Sequence, residues 1–275
     1  MIPLLSGERS RMMDSTTSRK PLLGQKSRLL ASGLGLLFWL LVWELLARYV
    51  DLSVVLSPPK EVFLTLFRLM QTGAFWLTIA SSFLRILTGF AAGLFLGVLF
   101  ALLSFYSRIM DALIHPLMSV LKATPVASFI ILLLFFSRNQ FIPGIIVCIM
   151  VAPVIWANGL KGMKEADPAL LEMADVFSLS KKWQLRHIYG PSLKAYLLPG
   201  FLTALGLSWK AGVAAEVLAA PPLSIGGMLY RAKVYLETPE MMAWTLCVIL
   251  ISMGLECLLK RLLLLTGENG RRPAP

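Results

Sequence analysis

Long apolar runs alternate with short polar segments along almost the whole chain. A membrane-spanning helix needs about 20 mainly apolar residues, and five or six segments reach that length. These are residues 29–50, 83–105, 109–136, 141–160, 195–219 and 241–265. The third contains Pro116 and Pro125, so it is either one kinked helix or two broken pieces. A shorter amphipathic helix is expected around residues 60–71. The pattern predicts an all-α polytopic membrane protein with about six transmembrane helices.

Two features inside these spans predict specific side-chain contacts. Gly89, Gly93 and Gly97 recur at four-residue spacing in the second span. Small residues on one helix face allow two backbones to approach closely, so we expect this face to pack against another helix. In the first span, Glu44 and Arg48 have the spacing at which opposite charges pair along a helix.

The composition also indicates a membrane protein. Hydrophobic residues make up 57% of the chain and charged residues 15%, whereas soluble domains carry about 25% charged residues. The net charge of +11 could suggest nucleic acid, but the basic residues follow a membrane topology, so we predict no nucleic-acid partner. Cys148, Cys247 and Cys257 lie in apolar runs without metal-ligand or disulfide spacing, and we expect buried free thiols.

The distribution of Lys and Arg predicts the orientation. If the N-terminus is inside and the chain crosses six times, the inside segments carry 17 of these residues and the outside segments carry 5. Basic residues are enriched in cytoplasmic loops, so both termini are predicted inside, in the cytoplasmic (inner) membrane. The predicted organisation is a basic segment, 1–28, a transmembrane domain, 29–265, and a cytoplasmic tail, 266–275. No small-residue cleavage site follows the first apolar run, which predicts an uncleaved anchor.

The polar segment 161–194 has the pattern of two short amphipathic helices. Asp167-Pro168 is typical of a helix start, because the Asp side chain can cap the helix and Pro fits its first turn. The next apolar residues follow at i, i+3, i+4 and i+7 and share one face. They are Leu170, Met173, Ala174 and Phe177.

The second helix of this segment is predicted over residues 181–189. Ser180 can cap its start, after a break at residues 178–180. Gly190 and Pro191 are expected to end it. Two short helices with an apolar stripe and charged flanks suit a docking surface, although an ordinary amphipathic loop would have the same pattern.

Ionisable and aromatic residues in the fifth span are candidates for a translocation pathway or gate. Lys210 and Glu216 both lie within this apolar run, beside Trp209. An ionisable side chain at membrane depth costs about 2.5–3.5 kcal/mol or more, so it usually faces a pathway or a partner. Six residues place the two charges on different helix faces, and we expect pairing with a neighbouring helix or across a dimer. Alternatively, Glu216 extends to the outer interface.

No catalytic motif is present in the sequence. It contains no G-x-x-x-x-G-K-[ST] phosphate loop, no HExxH, no CxxC and no nucleophile elbow. His115 and His187 are its two histidines and lie in separate segments, which argues against a shared metal site. We therefore predict a chain that is not an enzyme and binds no cofactor or metal. ATP hydrolysis, if it drives transport, must come from another polypeptide.

Segment 161–194 resembles the coupling loop of ABC-importer permeases, whose pattern is E-A-A-x3-G-x9-I-x-L-P. Glu172, Ala174, Ile188 and Pro191 are in register, while Met173, Ser178 and Gly190 depart from it. In that family the loop sits in a groove on the ATP-hydrolysing subunit. The resemblance implies a set of coupling residues. They are Leu170, Glu172, Met173, Ala174, Asp175, Phe177, Ser178, Ile188 and Pro191.

Further patches resemble permeases of the nitrate/sulfonate/taurine importer group. They include residues 56–59, 82–90, 116–127, 158–159, 209–216 and 226–229, in the same order and spacing. The resemblance implies the type I importer fold, a homodimeric pore, two ATPase subunits that hold ATP and Mg, and an extracytoplasmic substrate-binding protein.

We predict the permease subunit of an ATP-dependent importer of a small solute, an anion such as a sulfonate, taurine, nitrate or bicarbonate. The outer loop around residues 221–239 is a candidate contact for the binding protein, or a plain connector. One alternative is an importer of an aromatic vitamin precursor. Others are an ion-gradient-driven carrier that uses Lys210 and Glu216, and a membrane-embedded enzyme.

Overall fold

A computed structural model describes residues 25–50 and 55–265, and every regular element in these ranges is helical. The elements are α1 (Gln25–Val50), α2 (Pro59–Met70), α3 (Gly73–Tyr106), α4 (Arg108–Ala123), α5 (Val126–Phe136), α6 (Ile142–Lys164), α7 (Pro168–Val176), α8 (Lys181–Gln184), a π-helical turn (Leu185–Tyr189), α9 (Gly190–Ala219), α10 (Ile225–Val234) and α11 (Thr238–Leu265). Residues 1–24 of the predicted basic segment 1–28, the predicted tail 266–275 and residues 51–54 of the connector lie outside the described residues.

The chain divides into two compact units between residues 51 and 52. Helix α1 is the described part of the first unit, and the predicted pair within it is confirmed: Arg48 Nε donates to Glu44 Oε1 at 2.8 Å. All later helices belong to the second unit. Five helices in the described ranges are long and apolar enough to cross a membrane, or six if the bent pair α4–α5 is one span. The predicted all-α membrane architecture is confirmed.

The glycine face of α3 packs directly against α6, as predicted. A Cβ on Gly93 would lie 2.8 Å from Val151 Cβ and 2.9 Å from the carbonyl oxygen of Cys148. A Cβ on Gly97 would lie 2.7 Å from Ile155 Cβ. All three distances are shorter than normal packing tolerates, so only glycine permits this separation of the helix axes. The close α3–α6 contact therefore depends on the lack of side chains at Gly93 and Gly97.

Helix α6 is the centre of the second unit, because α3 and α9 pack against it. Two apolar clusters fill the space around α6. One joins it to α3 and α4 through Ala101, Ile114, Met118, Trp156, Leu160 and Met163. The other joins it to α5 and α9 through Ile130, Ile142, Ile146, Ala215 and Ala219. In contrast, most of α11 is open on its outer side, with Ile249, Leu250 and Met253 exposed.

The predicted third span is two helices rather than one kinked helix. Helices α4 and α5 meet at an angle of 103° across Thr124 and Pro125. Pro125 stands at the start of α5, where its missing N–H is not needed. Pro116, by comparison, lies inside α4 without breaking it.

The expectation that Gly190 and Pro191 end a helix is wrong. The chain stays helical from Lys181 to Ala219, through α8, the π-helical turn and α9. The N–H of Gly190 donates to the carbonyl of Leu185, five residues back. Pro191 has no N–H to donate, and the wider π turn shifts the hydrogen-bond register just before it. Helix α9 therefore continues directly from the 161–194 segment.

The cysteine prediction is only partly right. All three cysteines are free thiols. Cys247 is buried and Cys148 is half-buried, but Cys257 is exposed on α11. An apolar sequence around a cysteine does not distinguish burial in the protein from exposure to lipid.

We expect Gly93→Ala to lower the stability of the purified protein by about 1–3 kcal/mol, because the added methyl group overpacks the α3–α6 contact. Gly254→Ala is the matched control, since a Cβ at Gly254 on α11 meets no atom within 4 Å. Thermal unfolding in detergent measures both. Equal unfolding midpoints for the two variants would contradict the close-contact explanation.

Candidate functional site

The first half of the 161–194 segment is a short capped helix, as predicted. Asp167 Oδ1 accepts a hydrogen bond from the backbone N–H of Ala169 at 2.9 Å, and Pro168 occupies the first turn. Ala174 is fully buried against Ala166 and Ile188. The two motif positions Ala174 and Ile188 therefore hold the segment together from the inside.

Ser178 takes the left-handed conformation that the motif glycine would take more easily. Its φ is 53°. The N–H of Leu179 donates to the carbonyl of Ala174 at 2.8 Å, and the N–H of Ser178 donates to the backbone carbonyl of Asp175 at 3.0 Å. This is the hydrogen-bond pattern of a helix that ends in a left-handed residue. Ser178 therefore keeps the turn geometry, although the left-handed conformation costs a residue with a Cβ about 1–2 kcal/mol.

Polar contacts connect the second half of the segment to the first half and to α6. Ser180 Oγ accepts from the N–H of Trp183 at 3.3 Å, which confirms the predicted cap. Gln184 Nε2 donates to Asp175 Oδ1 at 3.3 Å, so the two short helices are joined. Ser192 Oγ donates to the carbonyl of Gly162 at 2.6 Å. These bonds make the segment a defined unit at one end of α6 and α9.

The outer face of α7 carries a group of exposed apolar side chains. Leu170 is 41% exposed, Met173 38%, Val176 80% and Phe177 69%. Only Ala174, of the four residues on the predicted stripe, turns inward. Val176 was not predicted, although it lies three positions after Met173 and is reached by the same helical spacing. We call Leu170, Met173, Val176 and Phe177 the α7 face.

Two charged residues of the predicted coupling set lie beside the α7 face and differ in their contacts. Glu172 is exposed. Asp175 is also exposed, but it accepts the bond from Gln184. The last predicted coupling residue, Pro191, lies in the first turn of α9.

Glu216 is buried in an ion pair with a neighbouring helix, which is one of the two arrangements we expected. Arg85 Nη1 on α3 lies 2.6 Å from Glu216 Oε1, and the Glu216 side chain is 0% exposed. Ser82 Oγ donates to Glu216 Oε2 at 2.8 Å. The N–H of Gly226 donates to the same oxygen at 3.2 Å. The Glu216 side chain does not extend to solvent, because these contacts bury it.

The same group of residues holds the start of α10. Ser82 Oγ accepts from the N–H of Ile225 at 2.9 Å. Arg85 Nη2 donates to the carbonyl of Pro222 at 3.3 Å and to Ser81 Oγ at 3.2 Å. We call Ser82, Arg85, Glu216 and the N–H groups of Ile225 and Gly226 the Glu216 network. Arg85 and Ser82 were not predicted, although an arginine within an apolar span is itself a signal that a buried carboxylate needs a partner.

Trp209 and Lys210 lie apart from the Glu216 network. Trp209 is 3% exposed, and its Nε1 donates to the carbonyl of Val248 on α11 at 3.4 Å. Lys210 is exposed on the surface of the described chain. The three candidate pathway residues thus do not form one cluster in a single copy of the chain, and their role in a pathway stays a prediction.

A second basic side chain lies beside the bend between α4 and α5. Lys122 Nζ is 5.4 Å from the centre of the Trp156 ring. Trp156 Nε1 donates to Ser104 Oγ at 3.0 Å, which fixes the indole against α3. The structure therefore places a cation and an indole next to the broken span.

A protein-family model described as the inner membrane component of binding-protein-dependent transport systems matches residues 93–264. The match covers more than half of the chain and includes the 161–194 segment and Glu216. The chain belongs to this family. Its fold is therefore that of the type I importers, in agreement with the helices described above.

Several transport permeases are similar to the chain. A bicarbonate transport system permease protein of Synechococcus elongatus is 31% identical over 166 residues, which is 59% of each protein. A bicarbonate transport system permease protein of Synechocystis is 27% identical over 211 residues, 72% of this chain and 74% of the relative. The taurine transport system permease protein of Escherichia coli is 23% identical over 254 residues, 88% of this chain and 92% of the relative. The first of these alignments spans about three fifths of the relative's length.

We expect Ser178→Gly to stabilise the turn by about 1 kcal/mol, because glycine takes a positive φ without a steric penalty. The amide hydrogen of Leu179 should then exchange about five times more slowly. Ser137→Gly is the control, since Ser137 also ends a helix but has a φ of −128°. Unchanged or faster exchange at Leu179 would show that the left-handed turn does not limit local stability.

Proposed function

We propose that the chain is the transmembrane permease subunit of an ATP-binding-cassette importer. It moves a small anionic solute across the cytoplasmic membrane by alternating access. The permease itself is not catalytic, and ATP with Mg is bound and hydrolysed on a separate partner subunit. Family membership supports an importer rather than an ion-gradient-driven carrier.

The observation that carries the proposal is the exposed α7 face on a segment with a defined internal structure. A solvated loop helix would normally direct its apolar side chains inward, but three predicted coupling residues, Leu170, Met173 and Phe177, are exposed. The capped ends and the Ala174–Ile188 contact hold this face in one shape. An apolar patch on a preformed helix fits a groove on another protein. We assign that groove to the ATPase subunit.

The direct path from this segment into the membrane supports a coupling role. Helix α8, the π turn and α9 are continuous, so a displacement of the segment acts on a span without an intervening loop. We therefore propose that ATP-driven closure of the ATPase subunits moves α9 and reorients the pore. Glu172, Asp175 and Ser178 belong to the same surface and its turn.

Three further features belong to the proposal. The importer contains a second copy of this chain, which completes the pore. An extracytoplasmic substrate-binding protein delivers the solute to the side opposite the 161–194 segment. Both termini are inside, as the excess of Lys and Arg in the inside segments supports.

The substrate class is supported by the relatives and by the charge within the fifth span. The names of the similar permeases include bicarbonate and taurine, both small molecules with an acidic group. Lys210 is exposed in α9, where a second copy or the pore could meet it. We propose a small organic or inorganic anion, with Lys210 contributing to its passage.

Phe177→Ser should reduce the ATPase subunit recovered with the permease at least fivefold, because a buried interface anchor typically contributes more than 1 kcal/mol. Co-purification from native membranes followed by identification of the bound chains measures this. Tyr235→Ser is the control, since Tyr235 is 68% exposed but lies at the other end of the spans. Glu172→Lys should act like Phe177→Ser. Recovery of an unchanged amount of ATPase with both α7 variants would refute the docking role of this face.

Lys210→Met should lower uptake of an anionic substrate about tenfold or more, because a hydrogen bond to a charged group contributes about 1.5–3 kcal/mol. Uptake into proteoliposomes that contain the whole importer measures the effect. Lys60→Met removes another exposed lysine, from α2, and should leave uptake unchanged. If both variants transport normally, Lys210 has a structural role only.

A further inference from the structure

We propose that Arg85 and Glu216 are positioning residues that fasten α10 to the far end of α9, so that α10 and the 161–194 segment move as two ends of one lever. The inference rests on the proposed function, because that function supplies the movement. It assigns Arg85 and Glu216 a role in transmission rather than in contact with the solute.

The lever is the continuous helix from Lys181 to Ala219. Helix α9 alone has 30 residues, and at 1.5 Å per residue it is about 45 Å long. This exceeds the hydrocarbon thickness of about 30 Å. The end of the 161–194 segment and Glu216 are therefore separated by more than the hydrocarbon thickness along one continuous helical element.

The far end of the lever is bonded to α10 through the N–H of Gly226, and α3 holds the N–H of Ile225 beside it. Glu216 Oε2 on α9 accepts from Gly226, and Ser82 Oγ on α3 accepts from Ile225. Ser82 also donates to Glu216, so the two bonds are linked. A Cβ on Gly226 would overlap Glu216 Cβ, which shows how closely α10 approaches α9 here. A shift of α9 thus acts directly on the start of α10.

The energetics favour a positioning role over a stabilising one. Removing a carboxylate and a guanidinium from water is unfavourable, and proteins with well-packed apolar residues at such sites are often as stable or more so. The ion pair instead fixes the relative orientation of the groups around it, since Arg85 donates to Glu216, Ser81 and the Pro222 carbonyl at once. The planar guanidinium holds these three groups in one geometry.

The turn between α9 and α10 needs such a clamp. Ala220 has a φ of 43° and Leu223 a φ of 49°, both in the left-handed region. A residue with a Cβ is strained in this region and persists there only when its surroundings determine it. The contacts of Arg85 with Pro222 and of Glu216 with Gly226 lie directly around these two residues. Release of the network would therefore let the turn relax and separate α10 from the movement of α9.

The test measures amide hydrogen exchange in the complete importer in lipid, with and without a non-hydrolysable ATP analogue. The analogue acts at the 161–194 end, and the readout is the exchange rate of the Ile225 and Gly226 amides at the other end. We expect the rate to change about fivefold or more in the unmodified complex, the usual lower range of coupling between sites. A merely structural network would hold these amides equally in both states.

Two variants separate transmission from folding. Arg85→Lys keeps a charge opposite Glu216 but cannot reach three partners, and Glu216→Gln keeps an acceptor without the charge. In both we expect the nucleotide response at Ile225 and Gly226 to be lost while the response at Leu179 remains. Arg48→Lys, in the exposed pair of α1, is the control and should keep both responses.

The outcomes distinguish this inference from the proposed function. If Leu179 responds to the nucleotide but Ile225 and Gly226 do not respond in the unmodified complex, the lever is refuted and the coupling role of the segment stands. If no ATPase subunit is bound and no amide responds, both are refuted. If the Arg85 and Glu216 variants fail to assemble, the nucleotide response of the Ile225 and Gly226 amides in the unmodified complex alone decides whether the lever is refuted.

Discussion

The close approach of α3 to α6 is the constraint on which the rest of the second unit depends. In a membrane, helices gain little by leaving water, so association relies on close packing and on polar contacts. The glycines at 93 and 97 provide the packing, because their missing side chains leave room for Val151, Cys148 and Ile155. Once α6 is held against α3, α9 packs against α6 as well, and the two apolar clusters form around α6.

Polar groups then fix the relative positions of the helices at the two ends of the bundle. The Glu216 network joins α3, α9 and α10 with directional bonds in a region where an unpaired charge would be unfavourable. At the other end, caps and side-chain bonds shape the 161–194 segment. Apolar packing alone would allow these ends to slide, whereas hydrogen bonds and an ion pair give each end one geometry.

The exposed apolar side chains fall into two groups that differ in what surrounds them. Along the spans, exposed residues such as Phe135 and Phe136 match the lipid around a membrane protein. The α7 face lies beyond the spans on a polar segment, where lipid does not cover it. This difference in location, rather than in exposure, makes the α7 face the candidate for a protein partner.

The sequence by itself determined the number and approximate limits of the spans, the glycine face, and the caps at Asp167 and Ser180, because these depend on local composition and helical spacing. It also determined the family, through motifs that keep their order. Only the tertiary structure decided that Arg85 is the partner of Glu216, since the two are separated by 131 positions and their contact depends on how α3 packs beside α9. The same holds for the continuity across Gly190. Local propensity predicts a helix end there, and the bonds of the π turn, together with packing of α9 against α6, make the helix continue instead.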